Sequence, residues 1–233
     1  MNLAVIPARS GSKRIANKNI ATFCGKPMIA WSIEAVRASG LFDHIIVSTD
    51  SEAIAAMATL WGAEVPFMRP AALADDNTGT LEVMAHAVQW AKQAGWDMQA
   101  VCCVYATAPF IQPKFLQQGL KVLMDGAWEY VVAAAPYASP VSRGFTHMPE
   151  GGIEMLFPDK FSSRTQDLPV AYHDAGQFYW GRPEAWSEQK TTFAAYSTTI
   201  EIPRLLVQDI DTPEDWHHAE LQHAFLQQHG WPV

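Results

Sequence analysis

A chain of 233 residues, 49% hydrophobic and 17% charged, can bury one sizeable core and lacks the polarity of a disordered segment. Its formal charge of −8 and pI near 5.4 exclude a broad footprint on nucleic acid or on an anionic membrane. The three cysteines, two of them the adjacent Cys102 and Cys103, make a poor disulfide framework, and no apolar stretch approaches a membrane span. With no basic-then-apolar leader ahead of Leu3, the expected location is the cytoplasm.

The first element is Leu3–Ile6, a continuous apolar run stopped by Pro7, as in a strand buried on both faces. A polar loop from Ala8 to Asn19 follows, and a helix is expected from Pro27, with Ile29, Ile33 and Val36 on one face, until Gly40. Ile45–Ser48 reads as the second strand. Thr49-Asp50-Ser51 then caps a helix running from about Glu52 to Trp61. Glu64–Phe67 is expected as a short third strand and Thr78–Ala94 as a long amphipathic helix.

Ala100–Tyr105, the most apolar run, is expected at the centre of the sheet. The helix 114–124 and a strand at Tyr130–Ala134 come next. Strands alternating with helices predict a right-handed, mostly parallel sheet covered on both faces. From about 136 to 175 the grammar changes: five prolines, the pair Gly151-Gly152 and no helical period predict an inserted β-rich arm, serving as a dimer contact or lid. The sheet resumes at Gln177–Trp180, a last strand is expected at Ser197–Ile202, and Pro213 opens a final helix to about Gln228.

Two features carry chemistry. The loop after the first strand, Pro7-Ala8-Arg9-Ser10-Gly11-Ser12-Lys13-Arg14, combines small residues, whose backbone N–H groups can approach oxygens, with charge from Arg9 and Lys13. It is neither a Walker A loop nor a dinucleotide fingerprint. Alone it reads equally as a phosphate cradle or as a solvated basic turn. The second feature is Asp209-Ile210-Asp211: on an extended segment both carboxylates share a face, as a Mg²⁺ pair needs, while Asp211-Thr212-Pro213-Glu214 also reads as a helix cap. Asp50 has the same two readings, a site carboxylate or the cap of the Glu52 helix. His217, His218 and His223 share no helical face at three or four spacing and read as solvated.

The ordered blocks Ile6-Pro7-Ala8-Arg9, Gly11-Ser12-Lys13-Arg14, Lys18-Asn19, Gly25-Lys26-Pro27-Met28-Ile29, Val47-Ser48-Thr49-Asp50, Arg69-Pro70, Thr107-Ala108-Pro109 and Gln208-Asp209-Ile210-Asp211-Thr212-Pro213 resemble the CMP-acylneuraminate synthetases over essentially the whole chain. Arg164–Leu168 and Ala171–Trp180 are most similar to the pseudaminic acid branch of that family. The resemblance implies a Rossmann-like, three-layer αβα nucleotidyltransferase fold across residues 1–233, with the arm making a homodimer. It implies transfer of CMP from CTP to the anomeric hydroxyl of an acidic nine-carbon sugar, with release of pyrophosphate.

By the same resemblance, Ala8, Arg9, Ser10, Gly11, Ser12, Lys13, Asn19, Arg69, Thr78 and Thr80 would bind the nucleotide, and Asp209 and Asp211 would hold Mg²⁺. Tyr105, Thr107, Arg143, Arg164, Gln166, His173, Asp174 and Gln177 would meet the sugar. Arg9, Lys13, Asp209 and Asp211 are the expected catalytic set, and no histidine is placed to act as general base. Tyr105 and Ala106 stand where sialic-acid enzymes often carry Gln and Pro, which favours a more deoxygenated sugar over sialic acid itself. The alternatives are a sialic-acid or 3-deoxy-octulosonate enzyme, and a silent nucleotide-binding paralogue; the intact Arg9, Lys13, Asp209 and Asp211 argue against silence.

Overall fold

The computed structural model describes residues 1–231. In chain order the strands are β1 (Asn2–Pro7), β2 (Thr22–Phe23), β3 (Lys26–Pro27), β4 (His44–Ser48), β5 (Ala100–Val104), β6 (Tyr130–Pro136), β7 (Phe145–His147), β8 (Ile153–Met155), β9 (Tyr172–Gly181) and β10 (Ser197–Glu201). The helices are α1 (Met28–Ser39), α2 (Glu52–Leu60), α3 (Thr80–Gln93), α4 (Pro113–Asp125), α5 (Pro183–Ser187) and α6 (Pro213–Gln228). Six strands form one sheet in the order β10-β6-β9-β5-β1-β4. Its paired neighbours are parallel except around β9, which runs against both β5 and β6.

Side chains alternate across the sheet, and each face has its own apolar layer. On one face Ala4, Ile6, Cys102, Val104 and Trp180 pack with Ile29 and Ile33 of α1, Leu116 of α4 and Leu226 of α6. On the other, Leu3, Val5, Val101 and Cys103 meet Met84 and Val88 of α3 and Trp186 of α5. That two-sided burial explains why β1 and β5 read as unbroken apolar runs. Each fully covered Leu or Ile contributes roughly 1.5–3 kcal/mol relative to exposure.

Local chemistry sets the boundaries. Gly40 ends α1 at φ 65°, and Ser51, not Asp50, caps α2 by accepting the Ile54 N–H. Asp75 Oδ1 accepts the N–H and hydroxyl of Thr78, which delays α3 until Thr80. The strand expected at Glu64–Phe67 is absent: Glu64 and Met68 make only isolated bridges to Ile46 and Thr49. Pro66 between them has no N–H to continue a ladder. The arm expected as β-rich has one hairpin of two three-residue strands, β7 and β8, and single 3₁₀ turns around it.

Candidate active site

The carboxyl ends of β1, β4, β5 and β10 point the same way, because these strands are mutually parallel, and the amino end of β9 meets them there. Loops at that edge are where open α/β sheets bind ligands. A cavity of about 540 Å³ opens there, lined by Pro7, Arg9, Gly11, Ser12, Lys13, Arg14, Lys18, Asn19, Tyr105, Ala106, Thr107 and Asp211. Beside it lies a second cavity of about 170 Å³, among Pro7, Arg9, Arg69, Thr78, Gly79, Thr80, Val83, Cys103 and Tyr105. A third, of about 280 Å³, is bordered by Thr80, Leu81, Tyr105, Tyr179 and Phe193, so Tyr105 is the wall common to all three.

The basic loop is held from several sides. Ala8 is buried, with its N–H on the Ser48 carbonyl at 2.9 Å, and buried Asn19 donates to the Arg9 carbonyl at 2.9 Å. Ser10 presents its N–H and its hydroxyl to the two oxygens of Asp50, at 2.9 and 2.6 Å. Ser12 N–H donates to the Ser10 carbonyl at 2.9 Å. The amides of Ser10 and Ser12, expected to face phosphate, are therefore turned to internal acceptors, and Ala8 and Ser10 do not line the cavity. Asp50 carries the loop; its carboxyl sits below the usual range, the Ser10 bonds outweighing the upward push of burial.

Acidic partners meet the cations of this loop. Arg9 Nη1 donates to Asp76 Oδ1 at 2.7 Å and to the Asp75 carbonyl at 2.9 Å, and Lys13 pairs with the other oxygen of Asp76. Arg14 and Lys18 both engage Asp211, at 2.7 and 3.2 Å, and Lys18 also donates to the Ile210 carbonyl at 2.5 Å. Asp211 thus belongs to the cavity, and it is not the cap of α6: Thr212 caps that helix in a reciprocal box with Asp215.

Asp209 is exposed and, unlike Asp211, does not line the cavity; its carboxyl is pushed up, first by desolvation and then by the charge of Asp211. Gly176 of β9 adopts φ 62°, a left-handed conformation that favours glycine, beside Asp209. Among the described residues no group of three or more His, Cys, Asp and Glu is arranged around a metal. Two neighbouring carboxylates with raised repulsion still fit Mg²⁺, which is commonly held by one or two carboxylates together with substrate phosphates.

Arg69 is buried, with its guanidinium on the Ser48 carbonyl at 2.8 Å and Nε without a partner, beside the second cavity where Thr78 and Thr80 also lie. Tyr105 hydroxyl donates to Tyr179 hydroxyl at 3.1 Å, and Tyr179 in turn hydrogen-bonds Asp174 Oδ2. Burial pushes the Tyr105 phenol up to about 12, so it is a proton donor and not a base at neutral pH.

The remaining expected sugar residues are not gathered here. Gln177 is buried, its Nε2 on the Leu206 carbonyl at 2.6 Å, so it braces the segment leading to Asp209. His173 packs on Tyr137 and bonds the Asp174 carbonyl at 2.8 Å. Arg143 grips the carbonyls of Phe161 and Ser163 inside the arm, Arg164 pairs with Asp167, and Gln166 is exposed beside them; none lines the cavities of its own chain. Sequence reasoning missed Asp76, Tyr179 and Phe193. Asp76 meets Arg9 across 67 positions of chain, and no local pattern encodes such a pairing.

Comparison with known proteins bears on this arrangement. A family model described as cytidylyltransferase matches residues 3–146. The chain is 40% identical over 221 residues, 94% of its length and 95% of the relative's, to the pseudaminic acid cytidylyltransferase of Campylobacter jejuni. It is 30% identical over 225 residues, 94% of each, to the CMP-N,N'-diacetyllegionaminic acid synthase of Legionella pneumophila. A solved CMP:2-keto-3-deoxy-manno-octonic acid synthetase complexed with CTP superposes with a TM-score of 0.71 over 97% of this chain and 99% of that one; at 15% identity the likeness is one of fold. The chain belongs to the cytidylyltransferase family and is a nucleotidyltransferase.

Proposed function

We propose that this chain is a pseudaminic acid cytidylyltransferase, transferring CMP from CTP to the sugar's anomeric hydroxyl and releasing pyrophosphate. The observation that carries the reading is the convergence, around one cavity, of the cations of the β1 loop with the carboxylate of Asp211. The 40% identity to a relative bearing that name supports the choice of sugar.

In this reading Arg9 and Lys13 bind the phosphates, and the tie of Ser10 to Asp50 fixes their approach. The smaller cavity beside Arg69, Thr78 and Thr80 takes the base. Tyr105 stands between nucleotide and sugar and offers a hydrogen bond to either. The third cavity, with Leu81 and Phe193, suits the methyl and acetamido groups of a deoxygenated sugar. Asp209 and Asp211 would hold Mg²⁺, which when bound supplies Lewis-acid stabilisation of charge on the phosphoryl oxygens. The protein's share of catalysis is in-line positioning of hydroxyl and α-phosphorus.

The arm acts as the contact between two copies. Its residues Phe145, Ile153, Leu156, Phe161 and Val170 are exposed, Phe161 by 70%, a density of apolar surface that supports burial against a partner. Arg143, Arg164 and Gln166 lie outside their own chain's cavities and reach sugar only if the arm crosses to the other copy. No described helix is long and apolar enough to cross a membrane, and the free cysteines fit a cytoplasmic enzyme.

The test is pyrophosphate release with CTP and Mg²⁺ from pseudaminic acid, N-acetylneuraminic acid and 3-deoxy-octulosonate. Release with pseudaminic acid at the highest kcat/KM is the expected result. Preference for another acid overturns the sugar assignment, and silence with all three overturns the reading.

A further inference from the structure

We propose that Asp76 is a specificity-determining residue of this site: an internal carboxylate that competes with the polyphosphate for Arg9 and Lys13. The inference rests on the nucleotidyl-transfer reading above and deepens it.

One carboxylate bridges both cations assigned to phosphate. Asp76 Oδ1 takes Arg9 Nη1 at 2.7 Å while Oδ2 takes the Lys13 ammonium. The carboxylate is presented by a turn built for it. Asp75 Oδ1 accepts the Asn77 N–H at 3.0 Å and the Thr78 N–H at 2.7 Å, and its backbone carbonyl adds a second acceptor for Arg9. Asp76 makes no hydrogen bond inside that turn among the described residues, so the fold does not depend on its carboxylate. Its contacts are with the two cations alone.

Donors on Arg9 and Lys13 given to Asp76 are withheld from a phosphate. A ligand that needs both cations must displace the pair, and its apparent affinity falls by the fraction of molecules in which the pair is open. A triphosphate or pyrophosphate carries enough charge to displace it. A nucleoside borders Arg9 in the base cavity but carries no phosphate to compete with the Asp76 carboxylate. Once pyrophosphate leaves, Asp76 recovers both cations, and this weakens the hold on whatever phosphate remains. Exposed ion pairs of this kind are individually weak, so the residue tunes affinity without blocking it.

The test titrates CTP, pyrophosphate and cytidine into the full chain by calorimetry at fixed ionic strength. The variants are Asp76→Asn, Asp76→Ser and Glu82→Gln. Glu82 lies in the first turn of α3, borders the cavity assigned to the sugar and pairs with neither cation among the described residues, so in titrations without sugar its variant removes the same charge from the same region without touching the bridge. Both Asp76 variants should lower the Kd of CTP and of pyrophosphate by roughly 3- to 10-fold, with cytidine moving less than about 1.5-fold. Glu82→Gln should move CTP by less than about twofold. The proposal is overturned if CTP tightens less than threefold in both Asp76 variants, if cytidine tightens in step, or if Glu82→Gln matches them. If folded wild type binds neither CTP nor pyrophosphate, the nucleotidyl-transfer reading itself falls and takes this inference with it.

Discussion

Gly119 lies in the middle of α4, where alanine would ordinarily be the better residue by about 0.5–1 kcal/mol. Here the opposite is expected. A Cβ at this position would stand 2.7 Å from Trp180 Cδ1 and 3.2 Å from Phe178 Cε2. Carbon atoms settle at about 3.5–4.0 Å, so the indole would have to recede by roughly 0.8 Å. It has nowhere to go: Trp180 is fully buried, donates Nε1–H to the Leu116 carbonyl at 3.0 Å, and stacks on Phe42 at 5.0 Å between ring centroids. Overpacking of this kind costs about 1–3 kcal/mol, which exceeds the gain in helix preference.

Gly119→Ala should therefore destabilise the protein by about 1–2 kcal/mol and lower Tm by roughly 2–8 °C for a chain of this size. Urea unfolding should show the same loss as a lower midpoint at unchanged slope. Gln118→Ala, one residue away on the exposed face, is the control and should change stability by less than about 0.5 kcal/mol. A Gly119→Ala protein as stable as wild type, or more so, would refute the argument that α4 approaches β9 too closely for a side chain.

Two further expectations follow from the site and from α6. Asp211→Ala should lower turnover on the order of 100-fold or more while circular dichroism and Tm stay near wild type, since this half-buried carboxylate lines the cavity and caps no helix; near-normal turnover would remove it from the chemistry. His223 is buried, edge-on to Trp31 at 4.9 Å and to Phe23 at 5.9 Å, with Nε2 unpartnered, and its pKa is pushed down by burial first and by Lys26 second. As pH falls below the ordinary value of 6.5, the unfolded chain takes up a proton that the fold refuses, so stability should decline from there until the depressed folded pKa is passed. His86, lowered by burial and Arg69, adds to the same slope. Urea midpoints at pH 7 and pH 5.5 for wild type and His223→Leu measure this, and equal slopes in the two proteins would refute it.

The elements legible in the sequence were those whose neighbours leave a mark on local pattern. β1 and β5 are buried on both faces, and their unbroken apolar runs say so. Glu64–Phe67 carries the composition of a strand, but Pro66 denies it the N–H that a ladder needs, and only bridges survive. His223 was misread because its polarity outweighed its place: Ala219, His223 and Leu226 fall at helical spacing and are the buried residues of α6. The basic loop after β1 stands out through its charges, yet its orientation is not legible. Ser10 turns its donors to Asp50, forty residues on, and Arg9 meets Asp76 further still. The cation side of the site was visible because it is contiguous in sequence. Its acidic counterparts come from three separate loops brought together by the sheet.

The one reversed strand has a consequence for how the arm relates to the rest. β6 and β9 shift register once, between Val132 and Ala134, and then stay paired to their outermost residues, Pro136 opposite Tyr172, where Tyr137 N–H still bonds the Ala171 carbonyl at 3.0 Å. Everything between those two points leaves and returns through adjacent strands, about 4.7–4.9 Å apart. The ends of the arm are thus closed by the sheet and not by the arm itself, and doubling its length would add only about 0.6 kcal/mol of closure entropy. The arm is a cassette: its interior can lengthen, shorten or be exchanged with the ligand-facing edge undisturbed. On the reading proposed above, in which the arm meets sugar across two copies, rewriting this one insertion would change partner and sugar and leave the machinery for the nucleotide where it was.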